Sequence, residues 1–109
     1  MRIKINNETF DVGICKSLLC KLLGLMFSYC KNDGLLFVFD KETYISLHTI
    51  FVFYYIDIIY VDKNLKVIKI LRKVNPFIPY IKAVKCKYVI EVKNSKNVRI
   101  NDSLSFKLK

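Results

Sequence analysis

Polar and apolar positions alternate from the first residues of the chain. Ile3 and Ile5 face one way and Arg2 and Lys4 the other, and Asn6-Asn7 predicts a tight turn into a second strand over Glu8–Ile14. The period then changes. Ser17 can cap a short helix through Leu18, Leu19, Leu22 and Leu23, which Gly24 stops. Two helical turns must be held by packing rather than by intrinsic helicity. Lys31-Asn32-Asp33-Gly34 is a turn signal, followed by a buried strand at Leu35–Phe39 and a second turn at Asp40-Lys41-Glu42. Ser46–Tyr54 and Ile56–Val61 are apolar on both faces, as central strands covered on each side should be. Asp62-Lys63-Asn64 turns the chain into a strand at Val67–Leu71. The Pro76-Phe77-Ile78-Pro79 segment lacks two ladder donors and reads as a loop. Near the end, Tyr88, Ile90 and Val92 oppose Lys87, Val89, Glu91 and Lys93. After an Asn94–Asn97 turn, Leu104, Phe106 and Leu108 alternate with Ser105, Lys107 and Lys109. About eight short strands and one short helix predict an all-β sandwich or barrel, one domain over residues 1–109.

Charge adds less than it first promises. Lys and Arg number 19 against 9 acidic residues, for a formal +10, which suggests a nucleic-acid or anionic-membrane partner. Only three of the 19 are Arg (Arg2, Arg72, Arg99), and Arg supplies the bidentate and stacked contacts that Lys cannot copy. Ile, Asn and Lys make up 38 residues and Gln and Trp are absent, a bias that AT-rich codons produce. Lysines at outward strand positions also keep sheet edges from pairing with other chains. Lysine-mediated nucleic-acid binding is therefore the third-ranked reading.

Cysteines and hydropathy point to a cytoplasmic protein. Cys15, Cys20, Cys30 and Cys86 form no CxxC or CxxH pair, so no metal site, cofactor or disulfide is expected. Polar residues interrupt any export signal in the first 27 positions. The apolar run Tyr44–Val61 contains His48 and Asp57, and a mid-helix Asp costs roughly 2.5–3.5 kcal/mol to insert into lipid. Its Ile, Val, Phe and Tyr favour two buried strands instead of a membrane span.

An ordered set of motifs then carries a resemblance. Gly24-Leu25-Met26-Phe27, Gly34-Leu35-Leu36-Phe37-Val38-Phe39, Ser46-Leu47-His48, Ile56-Asp57-Ile58-Ile59-Tyr60-Val61-Asp62, the Pro76 and Pro79 loop, and Tyr88-Val89-Ile90-Glu91 follow one another at the spacing of domain-of-unknown-function family 192. That family is also known as uncharacterised protein family 0127. The match runs from about Leu22 to Leu108, and the His48 form of the central motif is similar to the archaeal branch. The chain departs from the pattern at Ser28 (usually Arg), Thr49 (usually Met), Tyr55 (usually Pro) and Asn101, which replaces Gly in the Gly-Asp pair ending at Asp102. The resemblance implies a compact β-sandwich of roughly jelly-roll character and no established activity.

Three residues are candidates for chemistry. His48, the sole histidine, would share a strand face with Ser46, Ile50 and Val52, as a general base, a ligand contact or a satisfied core imidazole. Asp57 lies between two isoleucines and must be paired or hydrogen-bonded there, to a ligand or to backbone N–H groups. Glu91, flanked by Lys87 and Lys93, reads as a surface ion pair or a ligand contact. Asp62 and Asp102 read as turn or cap residues. No nucleophile elbow, phosphate loop or dinucleotide fingerprint is present. The leading expectation is a binding or accessory module, with a small ligand or protein partner and a pocket near His48 and Asp57. An acid–base enzyme pairing His48 with Asp57 or Glu91 is the alternative.

Overall fold

A computed structural model describes residues 2–15, 34–49 and 54–107. Seven strands follow in order: β1 (Arg2–Ile5), β2 (Glu8–Cys15), β3 (Gly34–Leu47), β4 (Ile56–Val61), β5 (Val67–Val74), β6 (Ile81–Val92) and β7 (Leu104–Lys107). They form one mixed sheet in the order β5-β4-β6-β3-β2-β1-β7, so the all-β expectation holds. Every pairing is antiparallel except β2 with β3. A parallel pair needs a crossover of a dozen or more residues, which residues 16–33 are long enough to supply. The helix expected after Ser17, the Gly24–Phe27 motif and Ser28 lie outside the described residues.

The sheet curls until its two edges meet. Val67 at the start of β5 donates its N–H to the Asp102 carbonyl (2.9 Å) and accepts from Asn101 N–H (2.8 Å), while Leu104 N–H reaches the Leu65 carbonyl (2.8 Å). Those bonds cover backbone groups that an open edge would leave exposed. Inside the curl lies one apolar cluster, which includes Ile3, Ile5, Val12, Ile59, Val92 and Leu104. A second cluster on the opposite face includes Phe37, Ile45, Ile58, Tyr60, Cys86 and Val89. β4 feeds both clusters and is buried at all six positions, as its two-faced apolar pattern predicts.

Two strand boundaries differ from the pattern reading. Asp40-Lys41-Glu42 does not turn the chain. It lies within the 14-residue β3, where pairing with β6 slips from Val38↔Tyr88 to Thr43↔Cys86. Three extra residues are absorbed there as a bulge, so the polar triplet marks an irregularity rather than an end. The strand expected over Ser46–Tyr54 ends at Leu47 within the described residues. Beyond it, Thr49 leaves the sheet to hold the proline loop. Its hydroxyl donates to the Asn75 carbonyl and accepts from Ile78 N–H, both at 2.8 Å. Its own N–H reaches the Ile78 carbonyl at 2.7 Å. A methionine, usual here in the resembled family, would keep the backbone bond but has neither the donor nor the strong acceptor for the two hydroxyl bonds.

Candidate functional site around Asp57

The site begins with a mismatch between two strands. Ile56 pairs with Val74, but Ile58 pairs with Leu71, so Arg72 and Lys73 together stand opposite the single residue Asp57. A bulge of this kind leaves an N–H outside the ladder. Here Lys73 takes a left-handed conformation (φ 51°) and its N–H reaches Asp57 Oδ1 at 2.9 Å. The other carboxylate oxygen accepts from Ser95 N–H and Ser95 Oγ, both at 2.8 Å. Both oxygens of a side chain that is only 6% exposed are therefore satisfied.

Arg72 completes the arrangement. Its Nη1 lies 3.8 Å from Asp57 Oδ2 and donates to the Ser95 carbonyl (2.7 Å) and Ser95 Oγ (2.9 Å). Its Nη2 donates to the Val98 carbonyl. The segment from Ser95 to Val98 has no strand partner among the described residues, and side chains take up its backbone groups. Asp57 holds its start, and Arg72 takes carbonyls at both ends. From the β1–β2 hairpin, Glu8 accepts from Lys96 N–H (2.9 Å) and Asn97 N–H (2.9 Å). Asn6 Nδ2 donates to the Asn97 carbonyl at 3.3 Å.

Beside this cluster opens a cleft of about 700 Å³, lined by Tyr55, Asp57, Arg72, Lys73, Asn75, Lys93, Asn94 and Ser95. Among these described residues, three side chains are cationic and one is acidic. Lys93 Nζ is also set 4.7 Å above the Tyr54 ring, a cation–π contact. Tyr55, also in the lining, is 60% exposed.

The three candidate residues do not converge. Asp57 pairs with Val92, a member of the inner cluster, whereas Glu91 pairs with Ile58 of the outer cluster. Opposite partners share a face, so the two carboxylates project from opposite sides of the sheet. His48 is half-buried just beyond the end of β3, not on a strand, and does not line the cleft. Its neighbour Leu47 pairs with Ile81, ten residues from Glu91 along β6, on the order of 30 Å of extended strand. The expected acid–base combination of His48 with Asp57 or Glu91 has no common site.

Glu91 also corrects the expectation of a surface ion pair. It is 4% exposed, and burial pushes its pKa up to about 8. It faces the apolar side together with Tyr60 and Cys86. Tyr60 Oη is buried without a hydrogen-bond partner among the described residues, and burial raises its pKa. The Cys86 thiol is pushed up to about 12 by burial and then by Glu42, which makes it a poor nucleophile at neutral pH.

Residues 1–103 match domain-of-unknown-function family 192, described as an uncharacterised ACR. The chain belongs to this family. It is 34% identical over 83 residues to a UPF0127 protein of Pyrococcus horikoshii, across 74% of this chain and 70% of that one. Two solved structures share the fold. A protein of unknown function from Novosphingobium aromaticivorans superposes with a TM-score of 0.85 at 16% identity, covering 96% of this chain and 84% of that one. A protein from Sinorhizobium meliloti, described as a candidate transcription regulator, gives 0.83 at 15%, covering 95% and 91%. At such identities the likeness extends to fold alone.

Several motif positions of the family have structural roles here. A Cβ on Gly34 would lie 1.9 Å from the Glu91 carbonyl oxygen, so β3 and β6 can meet there only around glycine. Asp62 Oδ1 accepts from Asn64 and Lys66 N–H, both at 2.9 Å, and Asp102 Oδ2 accepts from Arg99 N–H at 2.8 Å. Asn101, in place of the usual glycine, has φ 76°, a conformation that Asn tolerates better than other residues with a side chain. The pattern reading missed Glu8, Arg72 and Ser95. Arg72 did carry a signal, as one of three arginines in a chain whose bases are otherwise lysine.

Proposed function

We propose that this family member is a binding or accessory module that takes a small ligand in the Asp57 cleft, as a single cytoplasmic domain without acid–base chemistry of its own. The supporting observation is how Asp57 is used. Its carboxylate accepts three hydrogen bonds from Lys73 and Ser95, so it works as a fastener that shapes the cleft. Rigid polar walls around an open concavity suit recognition. With His48 outside the cleft and Glu91 on the opposite face, no acid–base pair converges there. Amide-resolved NMR with a mixed metabolite library tests the reading. A ligand that shifts the Tyr55, Lys93 and Asn94 signals and is recovered unchanged is the expected result. Shifts confined to other faces, or conversion of the ligand, would count against it.

A further inference from the structure

Resting on that reading of the cleft, we infer that its ligand is a small anion with a phosphate or carboxylate group and a hydroxyl-bearing body, the chemistry of a sugar phosphate or sugar acid. The anionic group is assigned to Arg72 and Lys93, and the body to Asn75, Asn94 and the ring of Tyr55.

Arg72 carries most of the argument. Its guanidinium is locked in orientation by the Ser95 and Val98 oxygens, yet its side chain remains 42% exposed. A guanidinium has five N–H donors in a planar fork. Three are committed to Ser95 and Val98, and the remaining two have no acceptor among the described residues. An immobilised fork with unused donors is suited to bidentate recognition of a carboxylate or phosphate, with little ordering left to do on binding.

Charge in the cleft agrees. Lys73 and Lys93 line it with Arg72, and Asp57, the one acid among the described lining residues, is covered by three hydrogen bonds from the protein. Concave walls concentrate the resulting positive potential. The remaining lining is neutral and amphipathic. Asn75 and Asn94 carry amides that donate and accept, as hydroxyl groups require, and the exposed Tyr55 ring offers a flat face. A volume of about 700 Å³ exceeds that of a bare anion and suits a molecule with a body attached.

The test is an amide-resolved NMR titration at low salt with glucose 6-phosphate, glucuronate, glucose and inorganic phosphate. Glucose 6-phosphate and glucuronate should shift the Tyr55, Lys93 and Asn94 amides, with glucose at least about tenfold weaker. Inorganic phosphate should reach the same amides but bind more weakly than the sugar phosphate. Arg72→Lys keeps the charge and loses the fork, and Lys93→Glu reverses a rim charge without touching the Asp57 bonds. Each should weaken both anionic probes by about tenfold while the amide dispersion of the folded protein persists. Equal binding of glucose and its phosphate at these amides would overturn the anion assignment and leave the cleft reading standing. So would silence from both anions where another library member still shifts the cleft. If nothing in the library reaches these amides, the cleft reading falls and this inference falls with it.

Discussion

Asp57 and Glu91 are two carboxylates buried to the same degree, each 4% exposed, and one step of register apart on neighbouring strands. Asp57 faces a bulge and an irregular segment, both of which need acceptors for stray N–H groups. It receives three hydrogen bonds and the flank of a guanidinium. Glu91 faces Ile58, Leu35 and the rest of the outer apolar cluster, and burial there makes its carboxyl hard to ionise. Equal burial thus has opposite consequences. What separates them is whether the backbone opposite has unmet hydrogen-bonding capacity.

The largest expected effect comes from breaking the satisfied side. Asp57→Ala strands the Lys73 and Ser95 N–H groups and leaves Arg72 without its counter-charge, and should cost about 3–5 kcal/mol in a denaturant titration. The carboxyl on the apolar side responds to pH. The folded-state pKa of Glu91 lies above its unfolded value, so its stabilising contribution is complete below about pH 4.5 and is lost as pH rises to about 8. Melting curves of Glu91→Gln and the wild type should therefore diverge across that window, with the variant gaining about 2–4 kcal/mol relative to wild type by pH 9. Parallel curves would mean that Glu91 ionises freely in the fold.

A subtler change probes the guanidinium. Arg72→Lys preserves the charge beside Asp57 but cannot reach Ser95 and Val98 together, and should cost about 1–2 kcal/mol by the same titration. The smallest effect is expected away from both carboxylates. Asn101→Gly restores the family's residue at φ 76° and should change stability by no more than about 0.5 kcal/mol.

Much of the fold was legible because alternation and turn chemistry are local. The Asn6-Asn7 hairpin, the two-faced β4, the proline loop and the Asp62 turn all follow from a few adjacent residues. The site was less so. Asp57 announced itself as a carboxylate between isoleucines, and accepting backbone N–H bonds was among its anticipated roles. Glu91 misled because its lysine neighbours suggested solvent. A period of two says that Glu91 opposes Ile90, but not whether its own face is covered. His48 misled because an apolar run was read as continuing through it, whereas the chain leaves the sheet at Leu47 and Thr49 hooks the proline loop.

The amino-acid order alone determined an all-β architecture, its main turns and membership of the family, since each depends on short-range pattern or ordered motifs. Only the tertiary structure decided how the Asp57 carboxylate is satisfied, because that depends on a two-for-one mismatch between β4 and β5 and on a segment 38 residues away in sequence. It also brought Glu8, Arg72 and Ser95 around one irregular stretch of chain. No local pattern encodes that meeting, since it follows from backbone groups that must find partners wherever the curled sheet leaves them.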